Sequence, residues 1–208
     1  MTAQGTPALA IPTGNSFDKY GSQNRLIRRL MRDFQDTLDE LIGQANPGSV
    51  LDVGCGEGVV TERWAERLEH SRVVGLDLED PGLRAHWVGR RRPNLEFVAG
   101  PADGLPFAPR EFDLVAAVES LEHVAEPRRV LDEMARVARG HLLVSVPREP
   151  IWRALNLARG AYPGALGNTP GHVNHWSRRA FVDLVTDYGA LVAVRSPLPW
   201  TMALVRMP

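Results

Sequence analysis

The chain has 208 residues, 44% of them hydrophobic, and balances 24 basic against 25 acidic side chains for a net charge of −1. That length fits one domain with a continuous core and needs no staples, and the single cysteine, Cys55, excludes an intrachain disulfide framework and fits a reducing compartment. Arginine supplies every basic side chain except Lys19, a bias that is no evidence of a nucleic-acid partner by itself, and no apolar run approaches the length that spans a bilayer.

Residues 1–16 combine Gly, Pro, Thr, Ser and Asn with few apolar anchors and read as a flexible leader, leaving 17–208 as a single domain. The leader lacks the basic start and apolar core of a signal peptide, so a cytoplasmic protein without membrane insertion is expected, as a monomer or homodimer. Within an N-terminal cap segment, 17–46, Leu26, Leu30, Phe34, Leu38 and Leu41 or Ile42 recur at helical spacing, predicting a long amphipathic helix from Gln23 to about Gln44. Pro47 and Gly48 end it.

Strands and helices then alternate. Ser49–Val53 is a short apolar strand, and Val60, Trp64 and Leu68 mark the buried stripe of the helix after it. Strands follow at Arg72–Leu76, Asn94–Ala99, Phe112–Val118 and His141–Val146. Between the last two, Pro127 suits a first helical turn, Val130, Leu131, Met134 and Val137 form an apolar face, and Gly140 is expected to end the helix. Residues 147–176, rich in Trp, Asn, Gly and Pro, form a connection long enough to suggest a lid over a ligand. A helix over about Arg178–Asp187 starts with Ser177 as N-cap and Trp176 and Phe181 at staple spacing. Strands at Leu191–Val194 and Trp200–Arg206 close the chain. Near-continuous apolar strands alternating with helices predict a mostly parallel α/β sheet covered on both faces.

The segment Asp52-Val53-Gly54-Cys55-Gly56-Glu57-Gly58 puts an acid at a strand end and three alternating glycines in the turn that follows. Such a turn lets the backbone approach a ligand, and the next helix points free amides at it. The dinucleotide fingerprint Gly-x-Gly-x-x-Gly fails here: counting from Gly54 its last glycine falls on Val59, and from Gly56 on Thr61. A second acid, Asp77, ends the next strand roughly 20 residues beyond the turn, the spacing at which a carboxylate reaches ribose hydroxyls.

The pattern Asp-x-Gly-x-Gly-x-Gly resembles the first motif of class I S-adenosylmethionine (SAM) dependent methyltransferases. Gly104-Leu105-Pro106-Phe107 followed by Glu111-Phe112-Asp113-Leu114-Val115, and the Glu122-His123-Val124 ending after the fourth strand, resemble the type 11 branch, which includes ubiquinone and menaquinone biosynthetic enzymes. The resemblance covers about residues 48–146. It implies a Rossmann-like seven-stranded, mostly parallel sheet whose last strand is antiparallel. It implies SAM as cofactor, S-adenosylhomocysteine as product, and a small-molecule acceptor methylated on O or C by in-line displacement. The cofactor would be held by Asp52, Gly54, Cys55, Gly56, Gly58 and Asp77, with Leu78 against adenine and Glu119 near the methionine end. Pro101 stands where the family usually has an acid, so adenine falls either to Asp103 or to backbone groups near Ala102. Tyr20 and Asn24 either fold over the cofactor or cap the first helix.

His123 and His172 are the candidate general bases; each has a purely structural alternative, His123 in starting the next helix and His172 in bracing the loop. His172 and His175 have no carboxylate or cysteine cluster beside them in sequence, so no metal is expected. Cys55 lies inside the glycine turn, which disfavours cysteine-based cytosine methylation, and the Asn-Pro-Pro-Tyr type motif of amino-group nucleic-acid methyltransferases is missing. Two alternatives remain: an RNA methyltransferase using Arg90, Arg91 and Arg92 with Trp87, and a noncatalytic SAM-binding protein, suggested by Pro101.

Overall fold

The computed structural model describes residues 24–208; Tyr20, the leader of residues 1–16 and the start of the cap segment lie outside them. The first helix, α1 (Arg25–Ala45), begins where Asn24 accepts hydrogen bonds from the Leu26 and Ile27 amides at 2.9 and 3.5 Å. This is an N-cap, one of the two roles the sequence allowed for Asn24. Met31, Phe34, Leu38, Leu41 and Ile42 form its buried face. The helix stops at Asn46, in a left-handed conformation with φ 43°, whose amide donates to the Ile42 carbonyl just before Pro47.

The elements that follow are β1 (Ser49–Val53), α2 (Val59–Arg67), β2 (Arg72–Asp77), α3 (Pro81–Gly89), β3 (Leu95–Ala99), β4 (Phe112–Val118), α4 (Pro127–Val137), β5 (Ala138–Pro147), α5 (Ile151–Ala158), α6 (Arg178–Thr186), β6 (Ala190–Arg195) and β7 (Trp200–Arg206). They build a seven-stranded sheet in the order β3-β2-β1-β4-β5-β7-β6. The first five pair in parallel, while β7 runs antiparallel to both neighbours. Neighbouring strand residues point to opposite faces. Leu51, Leu76, Val115 and Leu142 therefore pack with Leu131 and Met134 of α4 and Phe181 of α6. Val50, Val73, Leu114 and Leu143 pack instead with Phe34 and Leu38 of α1 and Trp64 of α2. Strand order reverses between β1 and β4, which opens a crevice at the carboxyl ends of these strands.

Three local features differ from the sequence expectation. Gly140 does not end α4: the helix stops at Val137, and β5 starts at once at Ala138, so Gly140 lies within the strand. A Cβ at Gly140 would sit 2.4 Å from the Asp113 carbonyl oxygen, so close backbone approach across β4 and β5 requires the glycine. The other two are helices with no predicted counterpart, α3 and α5. The start of α6 agrees with expectation: the Ser177 hydroxyl accepts from the Ala180 amide at 3.2 Å, and the Trp176 and Phe181 rings lie 6.5 Å apart.

Gly140→Ala should lower the unfolding free energy by about 1–3 kcal/mol, read as a lower denaturant midpoint with an unchanged m-value.

Candidate functional site

A cavity of about 570 Å³ lies over the crevice, bounded by the turn after β1, the ends of β2 and β4, the first turns of α1, and the segment carrying α5. The turn is shaped by its neighbour strand. Gly54 and Cys55 both donate backbone amides to the Leu76 carbonyl, at 2.8 and 3.0 Å, and Gly56 donates to Asp77 Oδ2 at 2.7 Å. Gly54, Gly56 and Gly58 all have positive φ. At Gly54 the constraint is doubled, because a Cβ there would meet Ser120 Cβ at 2.5 Å.

The two acids behave differently. Asp52 is buried and accepts from the Thr61 hydroxyl at 2.7 Å. Burial pushes its carboxyl up to about 7, opposed by the Thr61 bond and reinforced by the nearby Asp77 charge. Asp77 is half-buried, and its second oxygen accepts from the Leu78 amide at 2.7 Å. Burial raises its pKa, while the Gly56 and Leu78 amides pull it back. Burial also holds the Cys55 thiol well above its ordinary range, so it stays protonated at neutral pH.

The unpredicted helix α3 supports this turn from outside. The Trp87 indole donates to the Gly56 carbonyl at 2.8 Å and its ring stacks on Phe97 at 5.3 Å. Arg90 donates to the Glu57 carbonyl at 2.6 Å and pairs with Glu62, while Arg92 pairs with Glu66. The patch considered for RNA thus contains a buried tryptophan and two ion-paired arginines. Beyond β3, Pro101, Ala102 and Asp103 all line the cavity, as does Leu78.

On the other side, Glu119 follows β4 with φ 56°, a strained conformation for a residue with a side chain. Its carboxylate accepts from the Ser145 hydroxyl at 2.9 Å and from the Trp200 indole, which ties β4, β5 and β7 together at the cavity wall. A 3-10 turn, Leu121–His123, then delivers Glu122 and His123. Glu122 is buried, and its carboxylate lies with the imidazoles of His123 and His172 so that one ligating atom of each falls within 4.8 Å of the others. His123 and His172 meet edge to face at 4.9 Å, and Gly171 O lies 3.0 Å from His123 Nδ1. This group of one carboxylate and two imidazoles can share protons, and its donor set could equally hold a divalent cation. Sequence spacing hid it, since Glu122 and His172 are far apart in the chain.

His175 takes no part; its Nε2 lies 2.7 Å from Asn168 Oδ1. His172 is flanked by Trp152 at 5.8 Å, and Trp152 by Trp200 at 5.9 Å, an aromatic wall the sequence did not assemble. Asn156, Thr169 and Trp152 fasten the segment: Asn156 Nδ2 donates to Gly167 O and Thr169 Oγ1 at 2.9 and 3.1 Å, and the Trp152 indole to the same hydroxyl at 2.9 Å.

Residues 51–144 match the family described as a methyltransferase domain. A demethylmenaquinone methyltransferase of Paenarthrobacter aurescens is 38% identical over 136 residues, 62% of this chain and 49% of that protein. A ubiquinone biosynthesis O-methyltransferase of Nitrosomonas europaea is 29% identical over 167 residues, covering 69% and 67%. The chain spans about half the length of the demethylmenaquinone relatives it matches, 49% and 58% of two of them. Among solved structures, magnesium protoporphyrin IX methyltransferase of Synechocystis with bound S-adenosylhomocysteine superposes with a TM-score of 0.64 at 16% identity, covering 90% of each chain. That likeness is one of fold.

Burial of Asp52 makes a testable demand. Its carboxyl, at about 7 in the folded chain against an ordinary 3.8, opposes folding only where the unfolded chain ionises it. The cost is absent below pH 4, grows up to about pH 7 and is constant above. Asp52→Asn, which keeps an acceptor for Thr61, should therefore match the parent near pH 3 and exceed it by on the order of 4 kcal/mol at pH 8, measured by denaturant unfolding without ligand.

Proposed function

Since residues 51–144 match a methyltransferase domain family, we propose that this protein is a SAM-dependent methyltransferase that methylates a hydroxyl group on a small aromatic acceptor. One observation carries the reading: a single cavity holds the glycine turn with Asp77 at one side and the Glu122, His123 and His172 cluster at the other. The names of two relatives, a demethylmenaquinone methyltransferase and a ubiquinone biosynthesis O-methyltransferase, support a flat acceptor of this kind.

The residues fit the cofactor on their own geometry. Gly54 leaves no room for a side chain, and a half-buried carboxylate stands beside the turn. Asp77 would take the ribose hydroxyls, Leu78 would cover the adenine, and Ala102 or Asp103 would meet its amino group. Gly54, Cys55, Gly56 and Gly58 would line the methionine and ribose with backbone, with Asp52 and Glu119 as the acids around that end. When bound, SAM supplies an electrophilic methyl group on a positively charged sulfur.

The remaining work belongs to the chain's own side chains. Trp152 and Trp200 offer π faces to a flat ring. With Nδ1–H donated to Gly171 O, His123 keeps Nε2 as an acceptor, the form that draws a proton from a hydroxyl. Glu122 then stabilises the imidazolium that results. The α5 segment and the start of α1 screen the cavity from water, which favours alignment of the reacting groups. Only a proton-bearing nucleophile needs such a base, which is why a hydroxyl is favoured over a carbon acceptor.

Calorimetry below the variant's unfolding transition should find that Asp77→Ala weakens SAM binding by about tenfold or more; full affinity in the variant would refute the assignment. His123→Ala should lower methyl transfer from labelled SAM into a small-molecule extract by about 10²-fold or more while leaving SAM affinity unchanged. Undiminished transfer would remove the base.

A further inference from the structure

The 3-10 turn after β4 and the strap 169–174 ahead of α6 are sewn together. The Val173 and Asn174 amides both donate to the Glu122 carbonyl, at 2.8 and 3.1 Å, and Asn174 Nδ2 donates to the Leu121 and Val124 carbonyls at 3.1 and 2.6 Å. The strap is also closed on itself: the His172 amide donates to the Thr169 carbonyl, and Asn168 Nδ2 donates to the His172 carbonyl. The side chains of Glu122, His123 and His172 are thus brought together by bonds that none of the three side chains makes.

One carboxylate and two imidazoles are a donor set that suits first-row transition ions. One ligating atom of each lies within 4.8 Å of the others. Around Zn2+, at about 2.0–2.1 Å, such atoms stand roughly 3.4 Å apart, so closing the set on an ion asks for movements of about 1 Å or less per side chain. His123 has the orienting contact that metal-binding histidines carry: with Nδ1 held 3.0 Å from the Gly171 carbonyl oxygen, Nε2 is the nitrogen left for an ion. Trp152 stacks on the His172 ring at 5.8 Å and limits its rotation. Glu122 and His172 are only 1% and 7% exposed. A buried carboxylate calls for positive charge beside it, which a protonated imidazole or a bound cation supplies.

We propose that Glu122, His123 and His172 bind one divalent transition-metal ion of the Zn2+ type. All three residues line the cavity, so three protein ligands leave the remaining position of the ion open toward it. Two imidazoles disfavour Mg2+ and Ca2+, which take oxygen ligands. The ion would cross-link the strap to the end of β4. The site does not rest on the proposed methyl transfer; where both hold, the ion and the acceptor's proton compete for His123 Nε2, and a loaded site takes His123 out of its role as base.

The test uses the full chain, stripped of metal with a chelator, and titrates it with Zn2+ by calorimetry while NMR follows the imidazole nitrogens. One Zn2+ per chain is expected, with a higher thermal unfolding midpoint. Ring signals should shift at His123 and His172 and stay in place at His70, His86, His141 and His175, and Mg2+ should produce none of these changes. Glu122→Gln and His172→Ala should each weaken Zn2+ binding at least about tenfold, whereas His175→Ala, whose ring faces Asn168, should bind like the parent. The proposal is overturned if Zn2+ does not bind, if the shifts fall on other histidines, if Mg2+ acts equally, or if either folded cluster variant keeps the parent's affinity. The histidine signals are read on the parent chain, so a variant that fails to fold does not shield the proposal. Because the titration contains no SAM, failure here leaves the methyl-transfer reading standing.

Discussion

Three amides of the turn after β1 are taken up by the end of β2: Gly54 and Cys55 donate to the Leu76 carbonyl, and Gly56 donates to the Asp77 carboxylate. The parallel pairing of Asp52 with Gly75 and Val53 with Leu76 brings these groups within reach. Backbone donors left in a half-buried turn need partners, and here the partner is the strand whose terminal acid faces the cavity. The clamp therefore fixes the turn and the carboxylate together. Trp87 and Phe97 buttress it from outside.

The second half of the site depends on a longer chain of contacts. Strained Glu119 binds the Ser145 hydroxyl and the Trp200 indole, locking the β4, β5 and β7 ends into one wall. That wall carries Trp200 against Phe34 of α1, with ring centroids 4.6 Å apart, and against Trp152 of α5. The aromatic contacts run on to His172 and then to His123. This end of the cavity is thus assembled from segments far apart in sequence, and its geometry holds only while the α5 segment stays fastened through Asn156 and Thr169.

This difference explains what could be read from residues alone. The clamp lies within one β-α-β unit, so its glycines and Asp77 keep a spacing visible in sequence, and continuous apolar strands betray a sheet covered on both faces. Alternation does not report tertiary partners. Glu122 and His172 meet only because a 3-10 turn and a long connection converge. The helix α3 buries just Leu83 and Trp87, too few for a visible stripe, and α5 defeats periodicity because its buried position is polar. Gly140 departs from the sequence expectation for a related reason: a glycine after an apolar helix looks like a stop, whereas here it makes room for the Asp113 carbonyl across two strands. Tyr20 lies outside the described residues.

The central claim we propose is that the clamp at Asp77 and the histidine cluster serve one reaction in one cavity. A crystal structure of the chain with S-adenosylhomocysteine tests that claim most directly. It should place the ribose hydroxyls on the Asp77 carboxylate and the sulfur facing the side of the cavity that holds His123 and His172. The ligand seated elsewhere, or its sulfur turned away from the histidines, would contradict it.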